Sequence, residues 1–410
     1  MKSKAKELLK QNKSLRKLVS VSKATKQEQQ YLRLCREANH ADVVGIDRIS
    51  IQEKNKQLLA ERYCKPSTPK TDIKDVHIFV IDRASSRGPW FQEDLSRNFK
   101  TTVFTMTRHK TGFSNGETNL VDFSTGLSVE DRSTPPFWPE DYDEWKSCLQ
   151  KDILSAISKA HHNNPVDFCF AYGGSKEFQP KTLKSIEKMG IPVGVWWLDE
   201  KHRFVESQST LIGSHTIHLT NSLEPMRWYI AKGQACYYFP EAADPKIYHP
   251  KQIKRDIDVG FVGAAYGWRL EFIDKLKNNG IPIECFGPGW DNGPVKDIRE
   301  IFWRSKINLG IGYTGMSKEL TCIKARDYQV PGTQSLYLTT YDPELTRSYE
   351  IGKEILCYRN IYDCMELIRY YLENTDEAEA ISKAGYLRTL NEHTYTNRMT
   401  GLLKWMGILK

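Results

Sequence analysis

An α/β fold with two Rossmann-like units of parallel sheet is what this 410-residue chain predicts, and three observations lead there. First, Asp256 to Trp290 reads DIDVGFVGAAYGWRLEFIDKLKNNGIPIECFGPGW. That is an apolar run ending at Gly263, an amphipathic stretch with Leu270, Phe272, Ile273 and Leu276 on one face, a stop at Asn278-Asn279-Gly280, and a second apolar run from Ile281 to Phe286. Strand, glycine turn, helix and strand in this order open a doubly wound sheet. Second, VHIFVID after Asp75 is a buried strand followed by a polar turn, a helix from Trp90 to Phe99 and a strand from Thr101 to Met106, so a second such opening lies near residue 75. Third, strands alternate with helices through both halves, which is the pattern of parallel sheets.

The elements follow in order. Residues 1–70 are polar, lysine-rich and glycine-poor. Leu8, Leu9, Leu15, Leu18 and Val19 fall at helical spacing, as do Tyr31, Leu32, Leu34, Leu58 and Leu59, and the stretch ends near Pro66-Ser67-Thr68-Pro69. This reads as two or three helices. Residues 109–145, rich in Gly, Ser, Pro and aromatics, read as a long loop. A helix from Tyr142 to His161, a strand from Val166 to Ala171, the turn Tyr172-Gly173-Gly174-Ser175, a helix from Pro180 to Met189 and a strand from Pro192 to Leu198 come next. Strands His215–Leu219 and Ala235–Phe239 complete the first half. Pro240 to Pro250, with three prolines, reads as an interdomain hinge. The second half adds strands Ile307–Ile311 and Ser335–Thr339 and a helical tail from Tyr362 to Leu409. The expected organisation is a basic helical extension (1–70), a Rossmann-like domain (71–240), a second Rossmann-like domain (241–393) and a last helix (394–410).

Composition narrows the function classes. No apolar run approaches the roughly 20 residues that span a bilayer, and the lysine-rich start lacks the apolar core of a secretory signal. Nine cysteines without a C-x-x-C read as reduced thiols of a cytoplasmic protein. Residues 1–70 carry 17 Lys and Arg against 7 Asp and Glu, while the other residues carry 42 against 44. The basicity therefore belongs to the extension. It suits packing on the body or on another copy of the chain, or else an anionic polymer or an anionic membrane surface met as a peripheral protein at its inner face. Nucleic acid is a poor fit, because aromatics are sparse among these lysines.

Ligands of open α/β sheets bind beyond the carboxyl ends of strands, so the candidates are the residues that follow strands. Gly263, Tyr266 and Arg269 follow the first strand of the second half, where backbone N–H groups at a helix N-terminus suit a diphosphate. Gly287 and Gly289 follow the next strand, and Gly310, Gly312 and Tyr313 the third. Lys324 and Arg326 precede DYQVPG and suit a leaving pyrophosphate, or else form a solvated basic face paired with Asp327 or Glu319. In the first half, Asp199 ends VGVWWLD and is either a general base or a helix cap. Gly173 and Gly174 form a ligand-approach turn, and Arg83 and Arg87 are candidates for an anionic acceptor. His215-x-x-His218 alternates like a strand and favours core histidines over metal ligands. Asp141-x-Asp143 and Asp256-x-Asp258 are weak metal candidates. No G-x-S-x-G occurs, which disfavours an α/β-hydrolase.

FVGAAYGWR, IECFGPGW, KARDYQVPG with LYLTTYDPEL, SYEIGKEILCYRNIYDCMELIRYYL and ISKAGYLRTLNEHTYTNRM together resemble the CgeB-like (spore maturation protein) glycosyltransferases of the group-1 type, over roughly residues 240–405. The resemblance implies a GT-B-like fold of two facing Rossmann-like domains. It implies a nucleotide-diphosphate sugar held mainly by the second domain and a glycan, lipid-linked or protein acceptor held mainly by the first. A terminal helix would return to the first domain, and no integral metal or other cofactor would be present. Carried over by position, Gly263, Tyr266, Arg269, Lys324 and Arg326 lie at the donor diphosphate. Two positions depart from the pattern. Gln329 stands where such relatives usually have a glutamate that holds donor hydroxyls, and Gln334 where they usually have glycine. The expected function is sugar transfer from the donor to an acceptor hydroxyl in surface glycan or glycoconjugate synthesis. The alternatives are a non-catalytic nucleotide-sugar or glycan binding module on the same fold, and a nucleotide-sugar epimerase.

Overall fold

The continuous apolar run after Asp75 has the pattern of a strand buried on both faces, and it forms an inner strand of a seven-stranded sheet. The computed structural model describes residues 13–83, 91–106, 120–121 and 142–410. Within them the chain forms two compact units, one of residues 34–240 and 395–410, the other of residues up to 33 and 241–394.

The first of these units holds α2 (Ile49–Ala60), β1 (His77–Arg83), α3 (Gln92–Asn98), β2 (Lys100–Met106), β3 (Leu120–Val121), α4 (Tyr142–Asn163), β4 (Phe168–Tyr172), α5 (Pro180–Lys188), β5 (Val193–Trp197), α6 (Glu200–Ser207), β6 (Ile217–Thr220), α7 (Leu223–Ala231) and β7 (Cys236–Tyr238). Its strand order is β3-β2-β1-β4-β5-β6-β7, parallel except for β3. Order reverses between β1 and β4, the switch point where such sheets open a crevice. Helix α5 shows how local sequence sets its limits: Pro180 opens it, and Gly190 beyond it takes φ +84°, a backbone region that suits glycine.

The second unit holds β8 (Ile257–Val262), α8 (Arg269–Asn278), β9 (Ile283–Phe286), α9 (Ile298–Arg304), β10 (Ser305–Leu309), α10 (Arg326–Gly332), β11 (Leu336–Thr340), β12 (Leu356–Tyr358), α11 (Ile361–Glu373) and α12 (Thr375–Glu392). Its order is β12-β11-β10-β8-β9, all parallel, with its own reversal between β8 and β10. Val259, Phe261, Ile273, Leu276, Ile307, Leu309 and Leu338 make its core. The last helix, α13 (Tyr395–Met406), packs in the amino-terminal unit, as the resemblance implies. There Thr396 N–H donates to Asp94 (2.8 Å) and Trp405 packs on Tyr237.

The amino-terminal helices do not float. Helix α1 (Lys13–His40) gives its residues up to Arg33 to one unit and the remainder to the other. On α2, Asn55 is buried and pairs with both backbone groups of Cys236: its Nδ2 donates to the carbonyl (2.8 Å) and its Oδ1 accepts from the N–H (3.0 Å). A side-chain amide thus takes the place of a neighbouring strand along β7, the last strand of the sheet. Among the described residues no helix is long and apolar enough to cross a membrane.

Beside β6 lies a buried polar cluster. His215 and His218 are fully enclosed and share a hydrogen bond of 2.9 Å, so they are core histidines. Glu200 accepts from the Thr220 and Tyr229 hydroxyls and lies 3.5 Å from His218 Nε2. Burial pushes the Glu200 carboxyl up to about 8, and burial lowers both histidines. An acid held protonated in the fold but ionised when unfolded loses stability as pH rises from about 4.5 through 8. Glu200→Gln keeps a neutral acceptor, so its unfolding midpoint should match or exceed the parent's at pH 8, and the difference between the two should vanish near pH 5. Glu200→Ala should cost about 1–3 kcal/mol by leaving the buried Tyr229 hydroxyl without its acceptor and Thr220 with only the longer bond to the Ser222 carbonyl. Urea titrations at the two pH values measure both effects.

Candidate functional site

Beside the switch point of the carboxyl-terminal sheet, the loops after β8 and β9 are stitched together by backbone. Gly263 N–H donates to the Phe286 carbonyl (2.8 Å), Ala265 N–H to the Pro288 carbonyl (2.8 Å), and the Trp290 indole to the Gly263 carbonyl (2.7 Å). A Cβ at Gly287 would lie 2.5 Å from the Gly263 carbonyl oxygen, and its φ is +131°. Glycine at 287 is therefore demanded by this approach. Gly267, at φ +57°, completes the turn before α8. Two of the N–H groups in the turn, those of Gly263 and Ala265, are used in the stitching and are not available to a phosphate.

Cations gather on this loop. The Arg326 guanidinium lies over the Phe261 ring at 5.9 Å, and its Nη1 is 3.5 Å from where a Cβ at Gly263 would stand. Its Nε is buried with no hydrogen-bond partner among the described residues. Arg269, only 6 % exposed, stacks on Tyr266 at 4.3 Å, and its Nη1 is 3.4 Å from the Ala264 carbonyl. Lys324 Nζ is 3.3 Å from Thr314 Oγ1 on the loop after β10. Arg269 and Arg326 thus meet the same glycine turn from two elements, and Lys324 stands on the adjoining loop.

Helix α10 aims Arg326. Its first turn is held by Asp327, whose carboxylate accepts from the Lys324 N–H (2.6 Å) and the Tyr337 hydroxyl (2.7 Å). Burial raises the Asp327 carboxyl to about 6, against the lowering effect of these bonds. Gln329 is buried one turn further on. Gln334 takes φ +55°, and this left-handed backbone is the reason a glycine suits that position. At Gly310 any Cβ would collide with the Tyr337 hydroxyl.

In the amino-terminal unit, Gly173 and Gly174 follow β4. A Cβ on Gly173 would lie 2.6 Å from the Phe178 ring, and one on Gly174 2.8 Å from the Ser207 carbonyl. The Gly174 N–H is taken by Glu177 (3.0 Å). Asp199, half-buried beyond β5, takes φ +61° and makes no side-chain cap on α6. An aspartate held in that region costs roughly 1–3 kcal/mol, a strain that clusters at functional positions. Arg83 ends β1, while Arg87 lies outside the described residues. Asp256 and Asp258 pair with Arg304 and Lys306 at the amino end of β8, the edge away from the glycine turns. A cavity of about 310 Å³, lined by His77, Lys100, Thr102 and Lys159 among others, likewise opens at the amino ends of β1 and β2. Sequence reasoning did not find Thr314, Trp290 or Phe261, and it named Asp327 only as an ion-pair partner of the basic face, not as the acceptor that holds the first turn of α10. Polar residues that act by holding a neighbour carry no periodic signal.

Residues 269–404 match the family model described as Glycosyl transferase-like. The chain carries a glycosyltransferase-like domain on a GT-B fold. Sucrose-phosphate synthase of Thermosynechococcus elongatus superposes with TM-score 0.52 at 10% identity, over 80% of this chain and 98% of that one. A glycosyltransferase from Rickettsia africae gives 0.51 at 10%, over 81% and 97%. Anabaena HepE, in complex with UDP and glucose, gives 0.51 at 11%, over 80% and 98%. At these identities the likeness establishes the fold. No curated protein matches the sequence.

The strained backbone at 334 has a measurable consequence. Gln334 is half-exposed, so Gln334→Gly loses little packing and relieves the left-handed residue. A gain of about 0.5–1 kcal/mol is expected by chemical denaturation. A loss of stability would mean that the Gln334 side chain holds α10 in place.

Proposed function

We propose that the chain moves a sugar from a nucleoside-diphosphate donor, seated at the carboxyl edge of the carboxyl-terminal sheet, to an acceptor hydroxyl held by the amino-terminal unit. The observation that carries this is Arg326, directed at the side-chain-free Gly263 at the switch point, with a buried Nε that lacks a partner among the described residues. Arg326, Lys324 and Arg269 would take up the charge of the leaving diphosphate, fixed positive groups being most effective where charge develops. No integral metal enters this scheme. Tyr266, Gly287 and Gln329 would line the donor, and Arg83, Arg87, Gly173 and Gly174 the acceptor. Asp199 would take the proton of the attacking hydroxyl, which is released as that oxygen bonds the sugar carbon and the diphosphate departs.

HepE holds UDP and glucose, so a UDP-sugar is the first donor to try, beside GDP-, dTDP- and CDP-sugars. One of these should raise the melting temperature of the protein. Arg326→Ala should abolish the rise by weakening binding about 30- to 100-fold, the loss of a charge-assisted contact, with little change in the unliganded midpoint. Absence of a shift with all four donors would overturn the reading. Gln329, neutral where a carboxylate is usual, favours a second reading, a binding module without turnover. Donor hydrolysis that appears only in Gln329→Glu would select it.

The CgeB-like subtype, and a cytoplasmic protein peripheral to an anionic membrane, complete the proposal. The net +10 of residues 1–70 supports the latter. Because α2 is built into the sheet, the test is charge removal, not truncation. Lys2, Lys4, Lys6 and Lys10 changed to Gln should abolish co-sedimentation with phosphatidylserine vesicles, and unchanged sedimentation would exclude the arm.

A further inference from the structure

The loop after β10 is a tight hairpin. Tyr313 bridges Thr321, and Thr314 N–H donates to the Leu320 carbonyl (2.8 Å). Its base adjoins the donor-side residues already described: Thr314 Oγ1 faces Lys324 Nζ at 3.3 Å, and the Tyr313 ring stands edge-on to Trp268, the residue before Arg269, at 4.6 Å. Its tip is held from a distant part of the sequence. Met316 N–H donates to Gln27 Oε1 (3.0 Å), and the Ser317 hydroxyl donates to Glu28 Oε1 (2.6 Å). Ser317 is fully buried, and its oxygen accepts in turn from the N–H groups of Glu319 (2.9 Å) and Leu320 (3.0 Å). Gly315 sits at φ +62°, and a Cβ there would reach within 2.5 Å of Gln27 Oε1. Two consecutive residues of α1 thus close on one hairpin tip, and a side chain at 315 would be strained there and would displace the Gln27 amide. The Met316 sulfur, in turn, lies 3.3 Å from where a Cβ at Gly267 would stand, in the turn before α8.

We infer that Gln27 and Glu28 are positioning residues for the donor diphosphate, setting the hairpin that places Thr314 and through it the Lys324 ammonium. The inference rests on the donor-site reading above and adds to it a part of the chain that lies outside the matched domain. The path runs through hydrogen bonds whose loss strands polar groups: without Glu28 the buried Ser317 hydroxyl has no acceptor there, and without Gln27 the Met316 N–H has none. The hairpin then gains freedom at its tip, and Lys324 loses its fixed distance from the glycine turn. A compact point charge on a flexible stem depends on such a second group for its placement.

The test uses the full-length protein and calorimetric binding of UDP, GDP, dTDP and CDP, with the monophosphate of the best binder as control. In the double variant Gln27→Ala/Glu28→Ala, diphosphate affinity should fall about five- to tenfold, the equivalent of one or two hydrogen bonds, while monophosphate affinity changes less than about twofold. Gln27→Glu/Glu28→Gln keeps both acceptors and should restore binding. Thr314→Val cuts the same path at its far end and should reproduce the selective loss, even if the double variant does not fold. Equal diphosphate binding by parent and variants, or an equal loss of mono- and diphosphate, overturns the inference and leaves the donor site standing. Failure of the parent to bind any of the four removes the donor reading, and this inference with it.

Discussion

The carbonyl of Gly263 occupies the space that a side chain at 287 would need, and much of the candidate site follows from that crowding. Backbone hydrogen bonding continues past the ends of β8 and β9, so two loops that would otherwise be independent act as one rigid lip. Trp290 seals it from one side by donating to the same carbonyl. On the other side Arg326 comes up to the bare backbone at 263, where a Cβ would press on the Phe261 ring. The arginine needs little help from solvent-exposed partners, because Phe261 lies under its plane and Asp327 fixes the helix that carries it. A lip made of main chain costs no reorganisation when a ligand arrives, which is the condition under which fixed positive charge is most effective.

The two βαβ openings were legible because each couples a period change to glycine punctuation. Asp256–Trp290 shows strand, turn, helix and strand within one window, and β8, α8 and β9 stand there. Elements without such contrast escaped. Strand β12 is three residues long, between Ile351–Ile355 pairing and the cap at Asn360, too short for a period to register. Helix α10 contains Pro331 and ends on Gly332, so DYQVPG reads as a turn, whereas the proline sits in the last turn of the helix, where it forgoes only its own bond to the Asp327 carbonyl. For the site, residue type and position after a strand found the cations. They did not reveal which glycines are there for conformation and which for clearance. Gly173 and Gly174 have ordinary φ values yet no room for a Cβ, while Gln334 has room and the wrong φ. Those distinctions belong to three-dimensional neighbours.

Charge burial divides the acids of this chain into two groups. Asp256 and Asp258 are partly exposed and ion-paired at the amino end of a strand, where such pairs contribute little. Glu200 and Asp327 are enclosed, with burial raising both. Asp327 is compensated by a backbone donor and a tyrosine hydroxyl and stays closer to its ordinary range. Glu200 has only hydroxyl partners and a neutral histidine nearby, so burial lifts it further, to about 8. The same functional group, a carboxyl, therefore works as an anionic helix anchor in one unit and as an uncharged hydrogen-bonding hub in the other.

The pairing of Asn55 with Cys236 has a meaning beyond the local amide. A chain shortened to begin after Ala60 would uncover the open N–H and C=O groups of β7, and exposed edges of that kind recruit strands from other molecules. The lysine-rich leader would then act as a built-in guard against self-association, and its removal would show as clumping well before any change in the chemistry of the site.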